Sequence, residues 1–403
     1  MFKKFVILFI ILCSLLFFEF TFLGRYAKLF ELMGIGLVVV LIVLYGIYDN
    51  SFRFKHNFIP QMIIILLSLP FSMYVASKFH NQDLSVSLYA QRSIYYYLLY
   101  FALHQIKINP KDFEKLFIYF AVAYVIFYLL QYALYPGKII FNCRISEERG
   151  TLRIFIAGLP YLIICYFLSL QYVLERFKLK YIVFYSVTLI IMILLGSRGL
   201  LFALAISTII NLLFSKRIKS KVLIYLLGAI GVTLIYIAFQ NIFQGLISAT
   251  TEKELNLSDN IRIRAARYYL TKFFPDPLAY IFGNGASSAR SDYSNRLVMI
   301  SSKYGYFLSD IGILGNYIKY GILFVLGVIG IIYKSLRIKI QPQFKYIKYF
   351  YTLNALCFVL GGGFADSDFI VLVCITLYML DVSKFYTEQK DIQKDIQSVN
   401  NNT

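Results

Sequence analysis

Apolar stretches long enough to cross a bilayer recur along this chain from its first residues to its last, and they leave little room for a soluble domain. A helix needs about 20 apolar residues to span the hydrocarbon, or somewhat fewer where its ends snorkel. On that criterion the sequence predicts twelve spans, at 5–23, 30–48, 58–77, 90–106, 114–135, 153–173, 181–196, 199–215, 222–243, 310–333, 349–365 and 369–383. The run 90–106 carries Arg92, and the last two runs are separated only by Asp366-Ser367-Asp368. The first run follows Lys3 and Lys4 but lacks a small-x-small cleavage site, so it reads as a retained helix. Charged residues make up 15% of the chain, against roughly a quarter in soluble domains. The expected fold class is an all-α polytopic integral membrane protein. A single transmembrane domain would cover 1–383, with one enlarged external loop at 244–309 and a solvated, partly disordered polar tail at 384–403.

The net charge of +19 calls for a membrane reading first. Cytoplasmic loops carry a Lys/Arg excess, and no basic tail or basic globular segment offers a grip on nucleic acid. With the N-terminus inside, the loops 49–57, 107–113, 174–180, 216–221 and 334–348 and the tail fall on the cytoplasmic side, and each carries basic residues. Both termini are then cytoplasmic. On this assignment eighteen lysines and four arginines lie inside, against seven lysines and eleven arginines outside. Orientation alone does not ask for that switch. Arginine presents a planar fork that grips phosphate or carboxylate bidentately and keeps its charge. An anionic substrate at the outer face accounts for it; so would anchoring to lipid phosphates or pairing with loop carboxylates.

Several residues could carry such chemistry. The loop Asn142–Arg153 packs Arg144, Glu147, Glu148, Arg149 and Arg153 into a short stretch, and Arg153 opens the predicted sixth span. There it must snorkel or face a cavity, and with Arg198, Arg264 and Arg267 it is a candidate ligand for a diphosphate. Gly196-Ser197-Arg198-Gly199 is the only break between residues 181 and 215, which puts Arg198 at the outer surface. The segment 260–270 reads as a short helix on which Arg264 and Arg267 share a face, suited either to a diphosphate or to lipid headgroups. The turn Phe282-Gly283-Asn284-Gly285 follows, then Arg290, Asp292 and Arg296, three residues that could bind a glycan along with Glu148 and Arg149. Asp310, entering the tenth span, suits a general base or a helix N-cap. The five cysteines are scattered without a CxxC, which indicates neither a disulfide frame nor a zinc site. His56, His80 and His104 form no cluster in the sequence and receive no role. Glu19, Glu31 and Lys319, within or near spans, either line a cavity or snorkel.

The order of these features over residues 90–335 resembles the superfamily of O-antigen polymerases (Wzy-type) and O-antigen ligases. The features are Ser197-Arg198-Gly199 at an outer turn, the enlarged loop, Phe-Gly-x-Gly, and Ser309-Asp310-Ile311-Gly312-Ile313-Leu314-Gly315 entering a helix. The resemblance implies work at the outer face of the bacterial cytoplasmic membrane. A growing glycan would be moved from undecaprenyl diphosphate onto the sugar of another lipid-linked repeat unit of an O-antigen, capsule or exopolysaccharide. It implies no cofactor and no metal, because the diphosphate is itself the leaving group. It implies that Arg198 and an arginine of 262–267 hold that diphosphate, and that a chain-length regulator and a flippase are partners. Ligases carry a His-Asn pair where this chain has Ser301-Ser302-Lys303. That departure favours polymerase over ligase and leaves Asp310 or Asp292 as the base. A lipid-linked oligosaccharide flippase is the rival reading, but it predicts two comparable halves, and no internal repeat is present.

Overall fold

The computed structural model describes residues 2–49, 56–148, 151–214, 260–289, 291–358 and 363–400. Over these residues the chain is a helical bundle with one small hairpin. The helices, in chain order, are α1 (Phe2–Ser14), α2 (Ala27–Asp49), α3 (Ile59–His80), α4 (Leu84–Ala90), α5 (Leu99–Ile106) and α6 (Pro110–Leu134). The antiparallel strands β1 (Arg144–Glu148) and β2 (Thr151–Phe155) come next, followed by α7 (Leu159–Arg176), α8 (Leu179–Leu194) and α9 (Arg198–Phe214). Three short helices, α10 (Ile261–Tyr268), α11 (Pro277–Phe282) and α12 (Asp292–Tyr304), lead into α13 (Ile313–Arg337), α14 (Lys345–Cys357) and α15 (Ser367–Asn400). The stretch Thr21–Gly46, which takes in most of α2, and the helices α3, α6 and α13 are each long and apolar enough to cross a membrane. The apolar helices at α8 and α9 are shorter. The predicted span 222–243 lies outside the described residues.

Local chemistry sets the boundaries. Asn109 caps α6 by accepting from the Lys111 amide at 3.0 Å, with Pro110 at the first helical position, where its missing N–H costs nothing. The expected helix at 260–270 is present as α10, capped by Asn260, whose side chain accepts from the Arg262 amide at 2.9 Å.

Five expected boundaries are corrected. The run 5–23 is not one helix, because α1 stops at Ser14 and Leu16, Phe17, Phe18 and Glu19 all take left-handed φ values. That conformation costs about 1–2 kcal/mol per residue. Aromatic packing opposes the cost: Phe17 on Phe30 at 4.5 Å, Phe18 on Phe127 at 4.9 Å and Phe20 on Phe141 at 4.7 Å. The sixth predicted span begins instead as β2, where Arg153 pairs with Ser146, and helix α7 starts only after Gly158 at φ +101°. Arg153 is thus a strand residue. The tenth starts at Ile313, not Asp310, and is interrupted at Gly321. The eleventh runs Lys345–Cys357 rather than 349–365. The tail is not irregular: α15 continues as helix to Asn400.

Contacts divide the bundle into two ends. At one, Ser367 Oγ donates to Ser14 O at 2.8 Å, the Gly158 amide to Asp368 Oδ2 at 3.0 Å and the Ile313 amide to Phe358 O at 3.3 Å, gathering the ends of α1, α7, α13 and α15 near the hairpin. At the other, Lys3 Nζ donates to Ile106 O at 2.9 Å, Lys4 pairs with Asp112 at 2.8 Å and Tyr378 Oη donates to Ile108 O at 2.7 Å. These are the hairpin end and the lysine end. Between them α3 and α13 approach closely where α13 carries Gly327 and Gly330; a Cβ at Gly327 would sit 2.5 Å from Ile65 Cγ1. Small residues at such a contact let two backbones meet in a membrane, where packing rather than water exclusion drives association.

Ser302 at the hairpin end and Lys178 at the lysine end are both exposed. An impermeant maleimide is expected to label Ser302→Cys and Lys178→Cys from opposite sides of the membrane, one on intact cells and the other only after lysis. Labelling of both from one side would contradict a bundle whose two ends face opposite compartments.

Candidate functional site

The site is built on an interruption. At Gly321 (φ 78°, ψ −173°) the α13 helix breaks inside an apolar element, which strips carbonyls of their intrahelical partners. The turn foreseen at Gly283-Asn284-Gly285 supplies the replacements. The Asn284 amide donates to Ile318 O at 2.7 Å, and its side-chain Nδ2 to the same oxygen at 3.2 Å. The Gly285 amide donates to Lys319 O at 2.7 Å. Only glycine fits on both sides of this junction. A Cβ at Gly283 would lie 2.4 Å from Gly321 N, and one at Gly321 would lie 2.4 Å from Ile281 O; both residues also have positive φ.

Buried polar side chains lock the inserted turn to α3 and the segment after it. Because Asn284 Nδ2 is a donor to Ile318, its Oδ1 must accept, so His80 Nε2, 2.9 Å away, carries the proton. The His80 ring stacks on Tyr293 at 4.2 Å, and Tyr293 Oη donates to Gly285 O at 3.1 Å. Gln82 is 1% exposed, donates to Ala286 O and accepts from the Ser288 amide, each at 2.9 Å. Around this lies a second apolar cluster, including Ala265, Tyr269, Phe273, Tyr293, Tyr306 and Ile318, which carries α10 and α12.

Charges line the same end of the bundle. Arg92 Nε pairs with Glu31 Oε2 at 2.5 Å, which resolves the choice for Glu31: it is an internal partner and does not snorkel. Lys319 precedes the break, facing Asp366 in the segment before α15. Asp366 is reached by solvent yet crowded by protein. Burial and the neighbouring Asp368 push its carboxyl up to about 7, with Lys319 opposing. In the sequence Asp366 served only to separate two spans; the missed signal was the glycine inside the predicted tenth span, into which the foreseen Phe-Gly-x-Gly turn fits.

The arginines fall on two sets of elements. Arg153 Nε donates to Leu195 O at 2.9 Å, which sets this guanidinium three residues from Arg198, the half-buried first residue of α9. Arg264 and Arg267 are exposed on α10, and Arg264 Nε donates to Tyr306 Oη at 3.3 Å. Arg296 is exposed on α12, its guanidinium 5.8 Å from the Phe273 ring centre, and Asp292 is exposed at the start of α12. Asp310 sits in a 3₁₀ turn, exposed, accepting from Ser309 Oγ at 3.4 Å. It is not the N-cap of α13; Gly312 occupies that position. Glu148 ends β1 paired with Thr151, and Arg149 and Arg290 lie outside the described residues.

The histidines correct one expectation. His56 and His104 form a cluster at the lysine end, with rings stacked at 3.6 Å. Burial and His104 push the His56 imidazole down to about 4, against an opposing pull from Asp381.

No protein-family model matches the chain, and no curated protein matches it at a significant level. Gly321→Ala is expected to destabilise the protein by about 2–4 kcal/mol, combining left-handed strain with a backbone clash. Gly36→Ala, where a Cβ would meet nothing within 4 Å, should leave it unchanged. Thermal unfolding of the two variants in detergent makes the comparison, and equal midpoints would remove the docked break from the fold.

Proposed function

We propose that the protein is a polysaccharide polymerase. It transfers a glycan from undecaprenyl diphosphate to a sugar hydroxyl of a lipid-linked repeat unit, at the outer face of a bacterial cytoplasmic membrane. The chain then crosses twelve times with both termini cytoplasmic and the hairpin end outside. The observation that carries the reading is the hydrogen bond from Arg153 to Leu195 O, which gathers two of the expected phosphate-binding arginines at one turn. The family resemblance of the sequence supplies the reaction class.

In this reaction a base removes the proton of the acceptor hydroxyl as its oxygen bonds to the anomeric carbon of the donor. The bond from that carbon to the diphosphate oxygen breaks, and undecaprenyl diphosphate leaves with the electron pair. Negative charge grows on the leaving group, where fixed guanidinium groups in a site of low dielectric stabilise it. Arg198, Arg153, Arg264 and Arg267 take that role. For the base, Asp366 suits better than Asp310 or Asp292. Its affinity for a proton is raised toward neutrality, where a general base works best, and it lies by the interrupted helix.

Two outcomes are expected in a deletion strain restored with variants. Arg198→Ala should collapse the surface glycan ladder to single repeat units, a rate loss of about 10²–10³, with membrane insertion intact, and Arg198→Lys should rescue poorly. A wild-type ladder would remove the arginine clamp. Long polymer left on the lipid carrier would indicate a ligase, and single units trapped on the cytoplasmic face a flippase. With purified protein, the rate should fall as pH drops below about 7, because only ionised Asp366 accepts a proton, and Asp366→Asn should abolish that dependence along with most activity. A profile unchanged in Asp366→Asn would assign the base elsewhere.

A further inference from the structure

At the lysine end a cavity of about 920 Å³ opens between α5, the start of α6, the segment before α3, residues 341–344 and α15. That volume is the size of a small-molecule site rather than of a single ion. Lys107, Lys111 and Lys384 line it, from the residue that ends α5, the first turn of α6 and α15. Three ammonium groups around one cavity repel one another, and an anion placed among them relieves the repulsion.

The nearby acids do not balance the three lysines. Among the described residues of the lining Asp381 is the only carboxylate, and both of its oxygens are engaged by other groups. Its Oδ1 accepts from Asn57 Nδ2 at 2.7 Å and its Oδ2 from Tyr100 Oη at 2.5 Å. Asp112, one residue past Lys111, pairs with Lys4 at 2.8 Å and does not line the cavity. We propose that the cavity binds a phosphate-bearing ligand with at least two negative charges, held by Lys107, Lys111 and Lys384.

The rest of the lining suits such a ligand. Lys384 Nζ donates to Asn57 Oδ1 at 3.0 Å, so the amide that holds Asp381 also positions this ammonium. The 25-residue helix α6 begins in the cavity wall at Pro110, which brings the positive end of its dipole to the same space. Ile108, Phe344 and Val382 add apolar surface for the organic part of the ligand. A basic pocket between helices at a membrane boundary is a setting in which anionic lipid headgroups are held, and a soluble phosphate compound presents the same chemistry from the water. The site is independent of the glycan chemistry at the hairpin end.

The test uses full-length protein in a neutral detergent and two probes. Inorganic pyrophosphate is titrated by calorimetry, and cardiolipin is added to the micelles against an equal amount of phosphatidylcholine, with thermal unfolding as the readout. Saturable binding of at least one probe is expected. The double variant Lys107→Gln with Lys111→Gln should weaken it by about tenfold or more; both side chains are exposed, so the core is left as it is. Lys138→Gln with Lys303→Gln removes the same charge from exposed positions outside the cavity and should bind as the wild type does. Binding of pyrophosphate alone assigns a soluble phosphate compound, and binding of cardiolipin, with or without pyrophosphate, assigns a lipid headgroup. The proposal is overturned if neither probe binds, or if the two double variants bind alike, which would reduce the effect to net charge.

Discussion

The insertion of Gly283-Asn284-Gly285 into the break of α13 is the contact on which the hairpin end is organised. A helix interrupted in an apolar setting leaves carbonyls that no solvent reaches, and each one left unpaired costs several kcal/mol. Here the carbonyls of Ile318 and Lys319 receive main-chain donors from a turn more than thirty residues away in sequence. The break therefore requires the turn. The turn in turn requires His80, Tyr293 and Gln82, which hold it on the side facing α3.

The same need is met elsewhere by one repeated device. Gln131, 0% exposed, donates to Lys138 O and accepts from the Ile140 amide, fixing the chain after α6. Gln171 donates to Pro342 O and Gln343 O and accepts from the Tyr346 amide, fixing the chain before α14. With Gln82, these make three buried amides, each presenting a donor and an acceptor to a passing loop. A primary amide offers both in one rigid plane without a charge to desolvate. That is why an uncharged side chain serves here better than Glu or Lys.

Much of the architecture was readable in the sequence, because a bilayer-length apolar run has few alternatives to a helix. The reading lost accuracy wherever the apolar character continued through a change of backbone conformation. Leu16, Phe17 and Phe18 are as apolar in a left-handed run as in a helix, and Ile154 and Phe155 as apolar in a strand. Composition does not distinguish these; only packing partners do. The candidate arginines were visible from the loops, and the structure sets Arg153 beside the Arg198 turn. Asp366 and the pair His56 and His104 were not visible, because their partners lie on helices distant in sequence. Asp381 stands 277 positions beyond His104 in the chain, and no spacing rule on one sequence joins them.

The interrupted helix also joins two cores that would otherwise be separate. Ile318 belongs to the small cluster that carries α10 and α12, whereas Tyr320 and Phe324, just beyond it on α13, belong to the main cluster of the bundle. The small cluster cannot open without withdrawing the donors that satisfy Ile318 O and Lys319 O. Opening it would expose unpaired main chain within the apolar interior of the bundle. The arginine-bearing cap and the body beneath it are therefore one cooperative unit, and α13 is the element through which either one senses the loss of the other.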